Sequence, residues 1–206
     1  MTADATLAIL AVLAPVRARD VEVDPDAALV ARWRAGDPDA FAVIYRLHAA
    51  PVYRRLTRIL GPITEREDLT QDVFLNVYRA LTSFRGDAAL ATIIQRIAIN
   101  IACDHLRRQR RRPATQLPAA FFEELVAPGT PPDRIAQVRE ELARVFACLA
   151  KIKPKKRIAL LLRVVDGLGF DEIGVLVDAS PETVAKRVQH GQRELDALVA
   201  RAGGRT

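Results

Sequence analysis

Apolar residues return every three to four positions along most of the chain, a period that predicts helices. Asp24 to Asp37 reads as a short helix around Leu29, Val30 and Trp33, ended by Gly36. A second helix starts near Asp37, with Pro38 in the first turn, where its missing amide donor would be unpaired anyway. Phe41, Ile44, Tyr45, Leu47 and Val52 suit its core face, and Pro51 predicts a bend. From about Thr64 to Thr82, the series Leu69, Val73, Val77 and Leu81 defines a buried stripe, and Asp68, Gln71, Asp72 and Arg79 fall largely off it. The turn Phe84-Arg85-Gly86-Asp87 follows. A long helix from about Ala88 to Arg110 then presents Leu90, Ile94, Ile97, Ile101 and Leu106 to a core, leaving Gln95, Arg96, Asn100 and Arg107 to point elsewhere.

The period is lost between Arg112 and Asp133, where Pro113, Pro118, Pro128, Pro131 and Pro132 gather beside Gly129 in a linker composition. Within it, Phe121-Phe122-Glu123-Glu124-Leu125 is an acidic-aromatic patch suited to docking or to a transient helical turn. Helical spacing resumes from about Arg134 to Ile152 through Ile135, Val138, Leu142, Val145, Phe146 and Leu149. Further helices are expected from Pro154 to Asp166, closed by Gly167, from Phe170 to Val177 and from Pro181 to Ala200. No alternating strand pattern and no internal repeat is present. The expected fold class is all-α: two small helical domains, residues 25–112 and 134–200, joined by a proline-rich linker over 113–133. Residues 1–24 are an N-terminal extension expected to be mobile, and 201–206 a tail.

Residues Phe170 to Leu195 read as a helix-turn-helix. Small Gly174 lets two helices approach, Asp178 tolerates a strained turn, Ser180 can cap orphan amides, and Pro181 fits a first helical turn. Buried Ile173, Leu176, Val184, Val188 and Leu195 would hold the pair at the angle that lets the second helix enter a major groove. Its outer face, opening with Pro181, would present Thr183, Lys186, Arg187, Gln189 and His190 to DNA. Helix pairs of this shape also occur as pure packing units, so the pattern alone does not decide function.

Charge and composition narrow the field. The 206 residues, half of them hydrophobic, can bury one ordinary core or two small ones, and the net charge of +6 favours an anionic partner. Arginine outnumbers lysine, which suits forked contacts to phosphate and guanine. Cys103 and Cys148 lie far apart without metal-ligand spacing, which fits buried thiols in a reducing cytoplasm, and no cofactor or metal is expected. His48, His105 and His190 are scattered without a nucleophile, so an enzyme is the poorest fit. The apolar run Leu7 to Ala14 follows Asp4 without a basic residue and stops at Pro15, short of the roughly 20 residues that span a bilayer, so no membrane insertion is expected.

One combination is more specific. Asp68-x-x-Gln71-Asp72-x-Phe74, then Phe84-Arg85-Gly86-Asp87, then Arg96-Ile97-Ala98-x-Asn100, then the arginines from Arg107 to Arg112, resembles region 2 of the extracytoplasmic-function sigma factors of bacterial RNA polymerase. The downstream helix-turn-helix resembles region 4 of that family, and the likeness spans about residues 25–200 in the family's order. It implies a factor without catalysis that recruits core RNA polymerase to promoter DNA, commonly restrained by an anti-sigma protein.

The resemblance assigns core-polymerase binding to Asp68, Gln71, Asp72 and Phe74. It assigns the start-proximal promoter element to Phe84, Arg85, Asp87 and Asn100, which would hold an unstacked base, and to Arg107, Arg108 and Arg111, which would touch phosphates. The upstream element falls to Pro181, Thr183, Lys186, Arg187, Gln189 and His190. Two departures stand out: Ile93 occupies the place of the family's usual tryptophan, and Ala185, His190 and Gln192 replace frequently basic positions. A free-standing helix-turn-helix regulator would explain the second block and the charge, but not the acidic face of the first.

Overall fold

A computed structural model describes residues 25–61, 63–86, 88–109 and 132–203, and among them the backbone forms eight α-helices. The N-terminal extension, Asp87, the arginines at 110–112, nearly all of the linker with its acidic-aromatic patch, and residues 204–206 lie outside the described residues.

Four helices build the first unit: α1 (Pro25–Arg34), α2 (Pro38–Leu60), α3 (Arg66–Leu81) and α4 (Leu90–Gln109). Asp37 caps α2, its Oδ1 accepting from the Asp39 amide at 2.9 Å, so an orphan donor of the first turn is satisfied. That hydrogen bond and the Arg32 guanidinium 2.7 Å away hold the Asp37 carboxyl below its ordinary range, with Arg32 the larger cause. Asp26 is buried at the start of α1 and meets His48 Nε2 of α2 at 2.9 Å, tying the two helices together.

The stripe expected on α3 is the one found, with Leu69, Val73, Val77 and Leu81 all buried. On α2 the outcome differs, because Tyr45 and Leu47 are exposed and the buried positions are Ala40, Ile44, Val52, Leu56 and Ile59. At 100° per residue, 47 lies within about 20° of 40, and 45 lies between 52 and 56, so helical phase alone does not set their exposure; what matters is which stretch of α2 the neighbouring helices cover. On α4 the buried set is Leu90, Ile94, Ala98, Ile99, Ala102, Cys103 and Leu106. Ile97 and Ile101 are half-buried on a flank, and Gln95 and Arg96 are half-buried as well rather than free in solvent. The helix is covered on two sides, which a single-stripe pattern does not foretell.

The second unit holds α5 (Pro132–Lys151), α6 (Pro154–Val164), α7 (Phe170–Val177) and α8 (Pro181–Gly203). Leu142, Val145, Leu149, Leu160, Leu161 and Leu195 form its core, and a Lys156–Glu194 ion pair links α6 to α8. A Cβ on Gly174 would lie 2.7 Å from the Ala179 carbonyl oxygen, so only glycine permits the close approach of α7 to the turn. Asp178 ends α7 at φ 50°, ψ 62°, the left-handed conformation that asparagine and aspartate tolerate best among residues with a side chain. Ser180 Oγ then accepts from the Thr183 amide at 3.3 Å and starts α8.

The two units pack on each other: α6 and α7 lie against α4, and α6 also meets α2. Ile158, Leu162, Ile173 and Val184 of the second unit belong to the same buried cluster as Ile44, Leu56, Ile94 and Leu106 of the first. Gly174→Ala is expected to destabilise the protein by about 1–3 kcal/mol through the forced contact with Ala179. In a thermal melt followed by circular dichroism, this appears as a Tm lower by several degrees, on the order of 2–4 °C per kcal/mol.

Candidate functional site

The helix-turn-helix leaves one face of α8 free. Thr183, Lys186, Gln189 and His190 are exposed, while Pro181 and Arg187 are half-buried and Val184 is fully buried beneath them. Positions 183, 186 and 190 follow helical spacing, so these side chains stand together over one surface. Exposed Glu182 sits at the rim, its carboxyl drawn below its ordinary value by its own backbone amide and by the Ser180 hydroxyl. An anion there keeps the face from being uniformly basic. Leu176 and Val188 are half-buried rather than sealed inside.

On α3, Asp68, Gln71 and Asp72 are exposed and stand one turn apart on one face. Leu75 and Tyr78 continue that face at 56% and 50% exposure, so the acidic surface runs into an apolar one. Sequence reasoning missed this extension because Leu75 and Tyr78 read as ordinary helix residues. Tyr78 is held by edge-on contacts with Trp33 and Phe41, at centroid distances of 5.7 and 5.1 Å. Phe74, grouped with the carboxylates by motif, is not on this surface. It is buried at 3% exposure with its ring 4.6 Å from that of Tyr45, because position 74 stands one turn from buried Thr70 and Val77 and two turns from Leu81.

The turn after α3 carries half-buried Phe84 and exposed Arg85. Arg34 Cζ lies 5.9 Å from the Phe84 ring centroid, within cation–π range. A cleft of about 280 Å³ opens here, its walls supplied by Ala27, Val30, Ala31 and Arg34 of α1 and by Phe84 and Gly86. Asn100 is exposed on α4 but does not line this cleft, so Phe84 and Asn100 are not joined in one cavity. Asp87, the remaining member of that group, lies outside the described residues. Arg107 and Arg108 are exposed near the end of α4, with Arg107 Nη1 2.7 Å from Asp104 and Arg108 Nε donating to the Asp104 carbonyl at 3.4 Å. Arg111 lies outside the described residues, and Ile93 is half-buried.

Among the described residues no group of three or more His, Cys, Asp or Glu side chains could hold a metal ion, and no helix is long and apolar enough to cross a membrane. Both cysteines are buried, and burial raises the pKa of each thiol. Burial lowers the pKa of the His105 ring, and His48 is engaged with Asp26.

The described residues thus form an all-α arrangement of two helical units, one carrying a helix-turn-helix and the other an acidic-apolar face. Residues 44–112 match the family model for Sigma-70 region 2 and residues 142–195 that for Sigma-70 region 4. The chain is 32% identical over 180 residues to the RNA polymerase sigma-H factor of Pseudomonas aeruginosa, covering 84% of this chain and 93% of that protein. It is 33% identical to the ECF RNA polymerase sigma-E factor of Escherichia coli K12, covering 84% and 94%. A solved structure of CnrH in complex with the cytosolic domain of CnrY shares the fold, with a TM-score of 0.59, 23% identity, and coverage of 85% of this chain and 97% of that one. The chain belongs to the extracytoplasmic-function sigma factors, which act with RNA polymerase on promoter DNA in transcription initiation.

The placements of Phe74 and Asp72 predict opposite behaviour. Phe74→Ala is expected to cost about 3–5 kcal/mol, as for other buried aromatics. Asp72→Ala, on the surface, should leave stability within about 0.5 kcal/mol of the parent chain, and chemical denaturation of both variants checks the pair.

Proposed function

We propose that the exposed face of α3 is where this sigma factor grips core polymerase, and that α8 and the first unit's turn and α4 are its two DNA-reading surfaces. The observation that carries this reading is the simultaneous exposure of Asp68, Gln71 and Asp72 on one helix and of Thr183, Lys186, Gln189 and His190 on another. Two carboxylates and an amide give directional, charge-assisted contacts to an arginine-rich partner. Leu75 and Tyr78 add apolar area beside them, the mixture of core and rim that a specific interface requires.

At the start-proximal element, Asn100 offers both a donor and an acceptor to an unpaired base edge, and Phe84 offers a ring for stacking. Arg85, Arg107 and Arg108, all exposed, would meet phosphates, a salt-sensitive contribution that carries little sequence information. Asp87 and Arg111 complete the set by resemblance. At the upstream element, Lys186, Arg187 and Gln189 are the base and phosphate readers, with Thr183 and His190 beside them and Pro181 fixing the start of the helix. The factor works in the cytoplasm, carries out no reaction of its own, and is restrained by an anti-sigma protein.

The deciding experiment is run-off transcription with purified core polymerase. The chain should direct specific transcripts, whereas tight promoter binding without any effect on polymerase would instead support a free-standing regulator. Asp72→Arg is expected to abolish core binding while the circular dichroism spectrum stays that of the parent chain, and normal core affinity in this variant would remove the assigned grip. Lys186→Ala and Gln189→Ala should each change upstream-element preference by about 1–3 kcal/mol per contacted base pair, measured by competition between promoter variants. Neither is expected to alter affinity for core.

A further inference from the structure

The cleft beside Phe84 lies where the described chain begins, and the function proposed above uses only its Phe84 side. Ala27, Val30, Ala31 and Arg34 supply its α1 wall, at the i, i+3, i+4 and i+7 spacing that puts all four on one helix face. Val30 is buried, whereas Ala27, Ala31 and Arg34 are exposed, so the wall is an apolar strip open to solvent with a cation at its far end. Arg34 stands over the Phe84 ring at 5.9 Å, and exposed Arg85 follows in the turn. Among the described residues neither arginine pairs with a carboxylate. An apolar strip that ends in guanidiniums without a counter-ion is complementary to a segment carrying both apolar side chains and carboxylates.

Such a segment immediately precedes α1. Asp20-Val21-Glu22-Val23-Asp24 alternates carboxylates with valines and ends beside Pro25, the first residue of the helix. An extended path would put Val21 and Val23 on one side and the three carboxylates on the other. Its reach also fits. The stretch from Asp20 to Asp24 spans at most roughly 16 Å, at about 3.3 Å per residue. The ten residues of α1, at about 1.5 Å each, are roughly 15 Å long. Turned back along the helix, the valines would lie over Ala27, Val30 and Ala31, and the carboxylates of Asp20 and Glu22 would come within reach of Arg34 and Arg85. The basic residues of the extension, Arg17 and Arg19, stand farther from α1 in sequence.

We propose that residues 20–24 dock in this cleft as its occupant within the same chain, and that they and an unpaired strand exclude each other at Phe84. Carboxylates and phosphates compete for the same guanidiniums, and one ring cannot be covered by a valine and stacked on a base at once. The exclusion rests on the reading of Phe84 as a stacking ring, whereas the docking does not.

Disulfide trapping in the full chain tests the docking. Val21→Cys is combined with Ala31→Cys in the cleft wall or, as a control, with Ala50→Cys on α2. His48, two residues before the control position, touches Asp26 at 2.9 Å, so an undocked segment would meet position 50 at least as readily as position 31. The native Cys103 and Cys148 are buried and do not compete. The cleft pair is expected to close about tenfold faster than the control pair, within one chain, as read on non-reducing gels. Asp20→Lys/Glu22→Lys should slow closure to the control rate, and adding Arg34→Glu/Arg85→Glu should restore it, which a merely damaged fold would not show. Trapped and dithiothreitol-reduced forms are then compared by fluorescence anisotropy with a short labelled single-stranded oligodeoxynucleotide. The trapped form should bind it severalfold more weakly and regain affinity on reduction. Equal closure rates for the two pairs, or a disulfide formed between chains, would overturn the docking. Preferential closure with the same strand affinity before and after reduction would overturn the exclusion. Phe84→Ala should weaken strand binding by the reduced chain, and unchanged affinity there would instead remove the stacking role on which the exclusion rests.

Discussion

The packing of α6 against the first unit is the constraint on which the rest of the structure depends. It makes one body of two small helical units, merging apolar clusters that each would otherwise expose. A helical unit of several dozen residues buries a modest fraction of its surface, and sharing a face with a neighbour raises that fraction. The arrangement exacts a cost in charge, since Arg157 is enclosed without a carboxylate and Asp166 must serve two arginines. Apolar burial brings the units together, and Asp166 pairs with Arg55 and Arg58 across their contact.

Within that body, most but not all of the residues assigned to partners are left uncovered, Phe74 being buried and Phe84, Pro181 and Arg187 half-buried. Asp68, Gln71 and Asp72 remain exposed on α3, and Thr183, Lys186, Gln189 and His190 remain exposed on α8. Packing therefore leaves both interfaces chemically free and fixes their relative position. Leu75 and Tyr78 enlarge the α3 surface, and the aromatic contacts of Tyr78 with Trp33 and Phe41 brace it against the first unit's core.

Motif and geometry agree unevenly. The helix-turn-helix was legible in detail, because Gly174, Asp178 and Ser180 are each demanded by local backbone requirements that one residue can satisfy. Phe74 stands within the acidic motif yet faces inward, since helical phase and not membership in a motif decides burial. Phe84 and Asn100 are linked by the motif's spacing, but the cleft beside Phe84 is walled by α1 and does not include Asn100. A loop's partner helix is set by long-range packing, which sequence spacing does not encode.

The sequence by itself determined the all-α class, the positions of the helices within a residue or a few, the turn chemistry of the DNA-reading pair, and the family. These follow from apolar periodicity, caps and glycines, which act over a few residues. Only the tertiary structure decided that Tyr45 and Leu47 face outward, that Ile97 and Ile101 lie on a second covered flank of α4, that Arg55 and Arg58 meet Asp166, and that Arg157 reaches the Leu60 carbonyl. Those outcomes depend on which faces meet between segments about a hundred residues apart, as in the Arg157 to Leu60 hydrogen bond, and no local pattern along the chain records that choice.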